Sequence, residues 1–186
     1  MNFTRLMMLV LALTVAACSS GEDSDDASTA SDSSSASGGP ESSDGIASRM
    51  VSDEPEGAKP LVDVKSSASV GDDVTFVARI GGRAKPFVDG RAVMVVMDPA
   101  IPSCADNPGD SCAIPWDYCC ETTETITANA ATVRVVGPDG DPVKTSFADA
   151  GFAGLDRLTL TGKVAEKDDA GRFVVDVASI YRHEAN

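Results

Sequence analysis

The chain has 186 residues, 42% of them hydrophobic, and a formal net charge of −14. Residues 58–186 are numerous enough to bury the core of one domain, and they carry 13 Lys/Arg against 19 Asp/Glu. Residues 19–57 carry one Arg against ten acids. Because an acidic protein repels a phosphate backbone, this composition argues against nucleic acid as a partner.

The first 18 residues combine an export signal with a lipidation motif. Arg5 precedes the apolar run LMMLVLALTV, which at ten residues is shorter than the roughly 20 that a bilayer span needs. The run ends at Val15, and Val15-Ala16-Ala17-Cys18 resembles the lipobox of bacterial lipoproteins. This resemblance implies a signal peptide at residues 1–17 and cleavage before Cys18, which is then acylated, with palmitate as the expected type of chain.

The lipid anchor sets the expected location of the mature protein. More than one acyl chain on Cys18 gives stable membrane anchoring, so we expect an exported protein held at a membrane of the cell envelope. Its folded domain would lie in the periplasm or on the cell surface. An ordinary cleaved signal peptide with a coincidental cysteine is the alternative interpretation.

A polar segment follows the lipobox. Residues 19–45 contain eleven Ser and seven acidic residues, and Ile46 is the first large apolar residue after the lipobox. Such a segment buries too little apolar surface to offset its conformational entropy. We therefore predict a disordered tether over residues 18–57, beginning at the lipidated cysteine, and a folded domain over residues 58–186. A solvated spacer is favoured over a binding role for the acidic run.

Short strands recur through the predicted domain. Apolar and polar residues alternate at residues 74–80, and the sequence predicts further strands at 91–98, 131–136, 158–166 and 172–181. The last two form a hairpin. Residues 146–155 are the one predicted helix, made short by Gly151 and Gly154. The order is therefore three strands, a short helix and two strands.

This order resembles the OB-fold, a five-stranded Greek-key barrel in the all-β class. The resemblance is carried by VGDDVTFVARIGG at residues 70–82 and by LTGKVAEKDDAGRFVVDVASIYR at residues 160–182. It implies that Gly162 lies where closely coiled strands leave no room for a side chain. A β-sandwich is the alternative, less favoured because five strands are few for two sheets.

Residues 99–125 form an insert between the second and third predicted strands. The OB-fold resemblance places it at the end of the barrel opposite the loops that join strands one to two and four to five. The insert holds four of the five cysteines within CADNPGDSCAIPWDYCC, residues 104–120. The rest of the chain offers no segment of comparable chemistry, so the insert is the candidate functional site.

Cys104, Cys112, Cys119 and Cys120 are an even number of thiols in an exported chain, which predicts two disulfides. Because a ring through adjacent cysteines is strained, Cys119 and Cys120 are each expected to pair with Cys104 or Cys112. On this interpretation no cofactor is expected. The alternative is a tetrahedral metal site, with zinc as the ion and with Asp117 or His183 replacing one thiolate. A catalytic thiol or redox pair is the third hypothesis, less favoured because no Cys-x-x-Cys is present.

The segment Pro115-Trp116-Asp117-Tyr118-Cys119-Cys120 resembles a motif of uncharacterised exported bacterial lipoproteins, together with Gly81-Gly82-Arg83 and the closing hairpin. That resemblance implies no activity. Trp116, Asp117 and Tyr118 are predicted to form a surface for a carbohydrate, a peptide or an envelope protein. The favoured alternative is that Trp116 covers the barrel end and packs on a disulfide.

No catalytic residue is predicted. The single histidine, His183, lies three residues from the end of the sequence, and no paired-carboxylate or Ser-His-Asp arrangement can be assembled. The sequence therefore predicts a non-enzymatic, membrane-anchored envelope lipoprotein that acts as a binding or structural module. A metal-binding or thiol-redox protein is the alternative. Nucleic-acid binding by analogy with other OB-folds is less favoured.

Overall fold

The structure is a computed structural model that describes residues 44–184. The predicted signal peptide at 1–17, Cys18 and the tether up to residue 43 lie outside the described residues. In chain order the elements are α1 (Asp44–Ala47), β1 (Lys59–Pro60), α2 (Leu61–Ser67), β2 (Asp73–Ile80), β3 (Val93–Met97), a 3₁₀ turn (Cys104–Asp106), α3 (Thr123–Asn129), β4 (Ala130–Arg134), β5 (Arg157–Lys167) and β6 (Phe173–Arg182).

Strands β2 to β6 close into a barrel. β2 pairs antiparallel with both β3 and β5, β3 pairs antiparallel with β4, and β5 pairs antiparallel with β6. The ring is completed by β4 and β6, which run parallel. This strand order with one parallel pair is the Greek-key barrel of the OB-fold. The predicted all-β class, the OB-like barrel and the position of the insert between the second and third barrel strands are confirmed.

Alternate strand residues fill the barrel, because successive side chains of a strand point to opposite faces. Phe76, Ala78 and Ile80 of β2 are buried in this way. The predicted restriction at Gly162 is also confirmed, since a Cβ there would overlap the carbonyl oxygen of Asp176 across the β5–β6 hairpin. The register of the hairpin shifts at the same place, between Thr161 and Gly162.

The predicted helix between the third and fourth barrel strands is wrong. Residues 146–155 form a series of turns. A helix needs negative φ throughout, whereas Gly151 and Leu155 have φ of +85° and +72°. These turns instead bring Phe147 and Phe152 together edge to face, with ring centroids 5.4 Å apart, and bury both in the core.

Between residues 44 and 184 the structure has three short helices elsewhere, and sequence periodicity predicted none of them. Thr122 caps the start of α3, because its hydroxyl accepts a hydrogen bond from the backbone N–H of Thr125. α2 begins where the buried Asp98 carboxylate accepts a hydrogen bond from the N–H of Val62. Within the described range, no helix has the length and hydropathy that a membrane crossing requires.

The predicted boundary between tether and domain is also wrong. Residues 44–54 lie against the barrel, although they were assigned to the disordered tether. Ile46 is 1% exposed in the core, and Arg49 and Val51 exchange backbone hydrogen bonds with Ile180 of β6. One buried isoleucine and a short stretch of strand-like pairing are enough to fix this segment in an otherwise polar sequence.

The insert was predicted to lie at the end of the barrel opposite the loop between the fourth and fifth strands. It lies instead at the same end as that loop, which joins β5 to β6. Because β4 and β6 are parallel, the segments that enter these two strands lie at the same edge. Thr127 of α3 accordingly packs against Gly171, in the turn between β5 and β6. Lys65 of α2 joins them by donating to the carbonyl oxygen of Thr127 at 2.6 Å.

Candidate metal centre in the cysteine insert

The insert is fastened to the chain that follows β2. The carbonyl oxygen of Trp116 accepts a hydrogen bond from the N–H of Gly82 at 2.9 Å. The Trp116 indole N–H donates to the carbonyl oxygen of Ala84 at 3.2 Å. Gly81 and Gly154 have no room for a side chain here, because a Cβ at either would lie within 2.6 Å of Trp116. The indole therefore covers the bend after β2, but it does not pack on a disulfide, as was predicted, because the insert cysteines are free.

Tyr118 is the buried anchor of the insert. Its side chain is fully buried, and its hydroxyl accepts a hydrogen bond from Nε of Arg79 on β2 at 3.0 Å. Burial raises the pKa of this hydroxyl above its usual value, so it remains protonated. The predicted binding surface of Trp116, Asp117 and Tyr118 is wrong in this respect, because the Tyr118 ring is not available to a ligand.

Arg79 ties the same part of the insert to its first turn. Nη2 of Arg79 donates to the carbonyl oxygen of Ile101 at 3.0 Å and to Oδ2 of Asp106 at 2.8 Å. The hydrogen bond from Arg79 lowers the pKa of the Asp106 carboxyl to about 2. Asp106 also accepts from the N–H and the hydroxyl of Ser103, at 2.8 Å each. The residue before Cys104 is therefore held in place.

Three thiols and one carboxylate meet beside this anchor. Sγ of Cys119 lies 3.5 Å from Sγ of Cys104 and 3.6 Å from Sγ of Cys112. Oδ1 of Asp117 lies 3.6 Å from the Cys104 sulfur and 3.9 Å from the Cys112 sulfur. We call these four residues the inner cluster. All four ligand atoms lie within 4.8 Å of one another.

Backbone contacts position the inner cluster. The N–H of Cys119 donates to Oδ1 of Asp117 at 2.9 Å. The N–H of Cys104 donates to the carbonyl oxygen of Pro115 at 3.1 Å. Tyr118, between Asp117 and Cys119, has φ of +60°, a conformation that residues other than glycine seldom adopt. This turn directs the Asp117 carboxylate and the Cys119 thiol to the same point.

A second group lies on the solvent side. Oδ1 of Asp110 accepts a hydrogen bond from the N–H of Cys112 at 2.9 Å, and Oδ2 of Asp110 lies 3.4 Å from Sγ of Cys120. With Cys104, these two residues form a second set of ligand atoms within 4.8 Å of one another. We call Cys104, Asp110 and Cys120 the outer cluster. Cys104 belongs to both clusters.

Asp110 was not predicted as a site residue, although a repeated sequence pattern points to it. Asp110-Ser111-Cys112 and Asp117-Tyr118-Cys119 are both Asp-x-Cys, and in both the carboxylate accepts from the N–H two residues later. Such a turn is typical of aspartate. Two copies of the pattern within ten residues would have indicated a second carboxylate at the thiols.

Neighbouring thiols and carboxylates raise the pKa of two of the cysteines. Hydrogen bonds with Cys104 and Cys112, and the nearby Asp117 carboxylate, raise the pKa of the Cys119 thiol far above its usual value. Asp110 raises the pKa of Cys120 in the same way. Negative charge is therefore unfavourable at both thiols, and a bound cation would reverse that preference.

The predicted disulfides are not present in the structure, where all four cysteines are free. Sγ of Cys104 and Sγ of Cys119 are 3.5 Å apart, whereas a disulfide bond is about 2.04 Å long. His183 was predicted as a substitute ligand, but it belongs to neither cluster. Its Nε2 lies 3.0 Å from the Thr159 hydroxyl and 3.6 Å from a carboxylate oxygen of Glu54.

Comparison with known proteins identifies no family, since no family model and no curated protein matches the chain. Among solved structures, the chain is similar to the telomere capping protein Ten1 from Saccharomyces pombe, at 11% identity and a TM-score of 0.30. The match covers 71% of this chain and 77% of that one. At this score the similarity adds nothing to the strand order given above.

Proposed function

We propose that this chain is a lipid-anchored, non-enzymatic protein of the bacterial cell envelope that binds a metal ion, with zinc as the favoured ion, in its cysteine insert. The anchor is inferred from the lipobox-like Val15-Ala16-Ala17-Cys18 and the polar residues behind it. The metal is inferred from the inner cluster. The partner of the lipidated amino terminus is the membrane.

The geometry of the inner cluster carries the proposal. A zinc ion with Zn–S bonds of about 2.3 Å holds two sulfur ligands about 3.8 Å apart in a tetrahedron, and a sulfur and an oxygen ligand about 3.6 Å apart. The S···S separations of 3.5 and 3.6 Å and the S···O separations of 3.6 and 3.9 Å are close to these values. Three thiolates and a carboxylate suit zinc.

The arrangement also argues against the two-disulfide alternative. Three sulfurs gather around one point, and Sγ of Cys119 is almost equally close to the sulfurs of Cys104 and Cys112, as binding to one shared ion requires. Cys120, the fourth, lies instead against Asp110.

Metal content and thiol state test the proposal directly. The mature protein is extracted from its membrane in detergent and its intact mass is measured under native and then denaturing conditions. We expect a bound metal that is lost on denaturation, together with four thiols that then react with an alkylating agent. A denatured mass about 4 Da below the fully reduced value, with no metal, would show two disulfides and contradict the proposal.

A ligand variant and a matched control assign the metal to the inner cluster. Asp117→Asn keeps the side-chain size and removes the ionic ligand, so metal content should fall. Asp149→Asn makes the same change at an exposed position in the β4–β5 connection and should leave metal content unchanged. Equal metal content in both variants would exclude Asp117 as a ligand.

The anchor is tested by metabolic labelling with an alkyne fatty acid. We expect the wild-type chain to be labelled and the Cys18→Ser chain to be unlabelled. The insert cysteines are present in both chains, so they serve as an internal control for adventitious thiol acylation. Label that persists in Cys18→Ser would refute the lipobox interpretation.

Nucleic-acid binding is not part of the proposal. Several basic side chains on the barrel are paired with acids: Arg134 with Asp176, Lys163 with Asp73, and Arg182 with Asp156. Such pairs leave little net positive potential for a phosphate backbone. A labelled single-stranded oligonucleotide should therefore show no change in anisotropy on addition of the protein, even at low salt.

A further inference from the structure

We infer that the outer cluster is a second metal position, open to solvent, which shares the Cys104 thiolate with the metal of the inner cluster. The inference rests on the proposed function, because Cys104 is a ligand there. It adds a second ion with a different set of ligands and a different exposure. The insert would then hold two ions, one with four protein ligands and one with three.

Adjacent Cys119 and Cys120 serve different clusters. Sγ of Cys119 lies within 3.6 Å of two inner-cluster sulfurs, whereas Sγ of Cys120 lies 3.4 Å from the Asp110 carboxylate. Two neighbouring residues seldom coordinate one ion, because the short backbone between them strains the chelate ring. Two ions remove that difficulty, since each neighbour then binds its own.

The Asp110 carboxylate already spans the two clusters. Its Oδ1 is held by the N–H of Cys112, an inner ligand, and its Oδ2 faces the Cys120 thiol. The oxygen that faces Cys120 is therefore oriented without any help from a metal. A ligand that is fixed before binding loses less conformational entropy on binding.

Charge favours a second ion. The two clusters contain four thiols and two carboxylates, which carry six negative charges once the thiols have lost their protons to bind metal. One divalent ion in the inner cluster, with Cys120 still protonated, would leave three negative charges, and a second ion that displaces the Cys120 proton would leave two. Unpaired charge at this density is unfavourable.

Exposure distinguishes the two positions. Of the inner ligands only Cys119 is exposed, whereas both ligands that the outer cluster does not share, Asp110 and Cys120, are exposed. The outer position has three protein ligands, so a tetrahedral ion there keeps one coordination position for water or an external ligand. We expect the outer ion to bind more weakly and to exchange faster than the inner ion.

Zinc stoichiometry tests the inference and separates it from the proposed function. The full chain with Cys18→Ser, which leaves only the four insert thiols, is purified in mild detergent, reduced and titrated with Zn²⁺ under native mass spectrometry. We expect two ions per chain, with the second bound more weakly. No zinc would refute the proposed function, and a single ion would refute only the second position.

Two variants assign the second ion to the outer cluster. Adding Cys120→Ser or Asp110→Asn should reduce the stoichiometry from two ions to one. Asp139→Asn is the matched control, because Asp139 is also exposed and also accepts from the N–H two residues later, at 3.2 Å. It should still bind two ions. Two ions in either outer-cluster variant would place the second ion elsewhere and overturn the inference.

Discussion

Tyr118 occupies a backbone conformation that its own side chain must stabilise. A residue with a Cβ costs about 1–2 kcal/mol in the left-handed region, and Tyr118 has φ of +60°. Full burial of the ring and the hydrogen bond from Arg79 offset this cost. This conformation brings the Asp117 carboxylate and the Cys119 thiol to the same point.

The hydroxyl of Tyr118 can be tested alone. Tyr118→Phe keeps the ring but leaves Nε of the half-buried Arg79 without its partner, so the free energy of unfolding should fall by about 1–3 kcal/mol. Urea denaturation measures the change. Tyr181→Phe is the matched control, since that ring packs edge-on against His183 and lies outside the insert, and it should cost less. Equal costs would show that the Arg79 hydrogen bond does not stabilise the fold.

The sequence alone does not indicate that Tyr118 is the buried anchor of the insert. The residue lies in an irregular loop, where no hydrophobic period indicates which side chains point inward. An aromatic residue with a polar end was therefore interpreted as a contact surface. Its burial depends on Arg79, 39 residues earlier in the chain, and sequence spacing carries no information about that contact.

Two connections of the barrel meet where Trp116 crosses Gly154. A Cβ at Gly154 would lie 2.5 Å from Cδ2 of Trp116 and 2.7 Å from Cγ and Cε3. Gly154→Ala should therefore displace the indole and cost about 1–3 kcal/mol. In a Trp116→Ala background the same change should cost much less, because the atoms it would overlap are gone.

A double-mutant cycle measured by urea denaturation tests this contact. The two single substitutions and the double substitution give a coupling energy, which we expect to exceed about 0.5 kcal/mol. Costs that add within that margin would show that the insert and the β4–β5 connection are energetically independent. The insert would then be held on the barrel by its contacts with Arg79, Gly82 and Ala84.

Strands were predictable and short helices were not, for one physical reason. Residues 74–80 alternate because one face of β2 fills the barrel, and a period of two is visible over seven residues. α2 and α3 have seven residues each, barely two turns, and α3 buries no residue. Their positions are set instead by Asp98 and Thr122, which cap their first turns.

At the scale of the whole molecule, the cysteine spacing was informative only in part. Four thiols in a chain with a predicted export signal indicated that the insert is cross-linked, and both disulfides and a metal are ways to cross-link it. The choice between them depends on how the chain between Cys104 and Cys119 folds back on itself. That path is fixed by Arg79 and Trp116, through contacts with a distant strand that the spacing does not encode.

The proposed metal would join distant parts of the molecule into one cooperative unit. Its inner ligands span residues 104–119, and that segment is held on β2 by Arg79 and on the β4–β5 connection by Trp116. An unfolded chain does not present these ligands together, so the free energy of binding becomes free energy of folding. Zinc at 100 times its dissociation constant should stabilise the protein by about 2.7 kcal/mol.

Thermal unfolding with zinc and with excess chelator measures this coupling. We expect zinc to raise Tm by a few degrees for each kcal/mol, and chelator to reverse the shift in the reduced Cys18→Ser chain. Cys112→Ser should lose most of the shift, because it removes an inner ligand. Asp149→Asn should retain it. If the insert alone were ordered by the metal, Tm of the barrel would not change, and only hydrogen exchange at residues 104–120 would slow. That result would separate the metal site from the stability of the OB-fold.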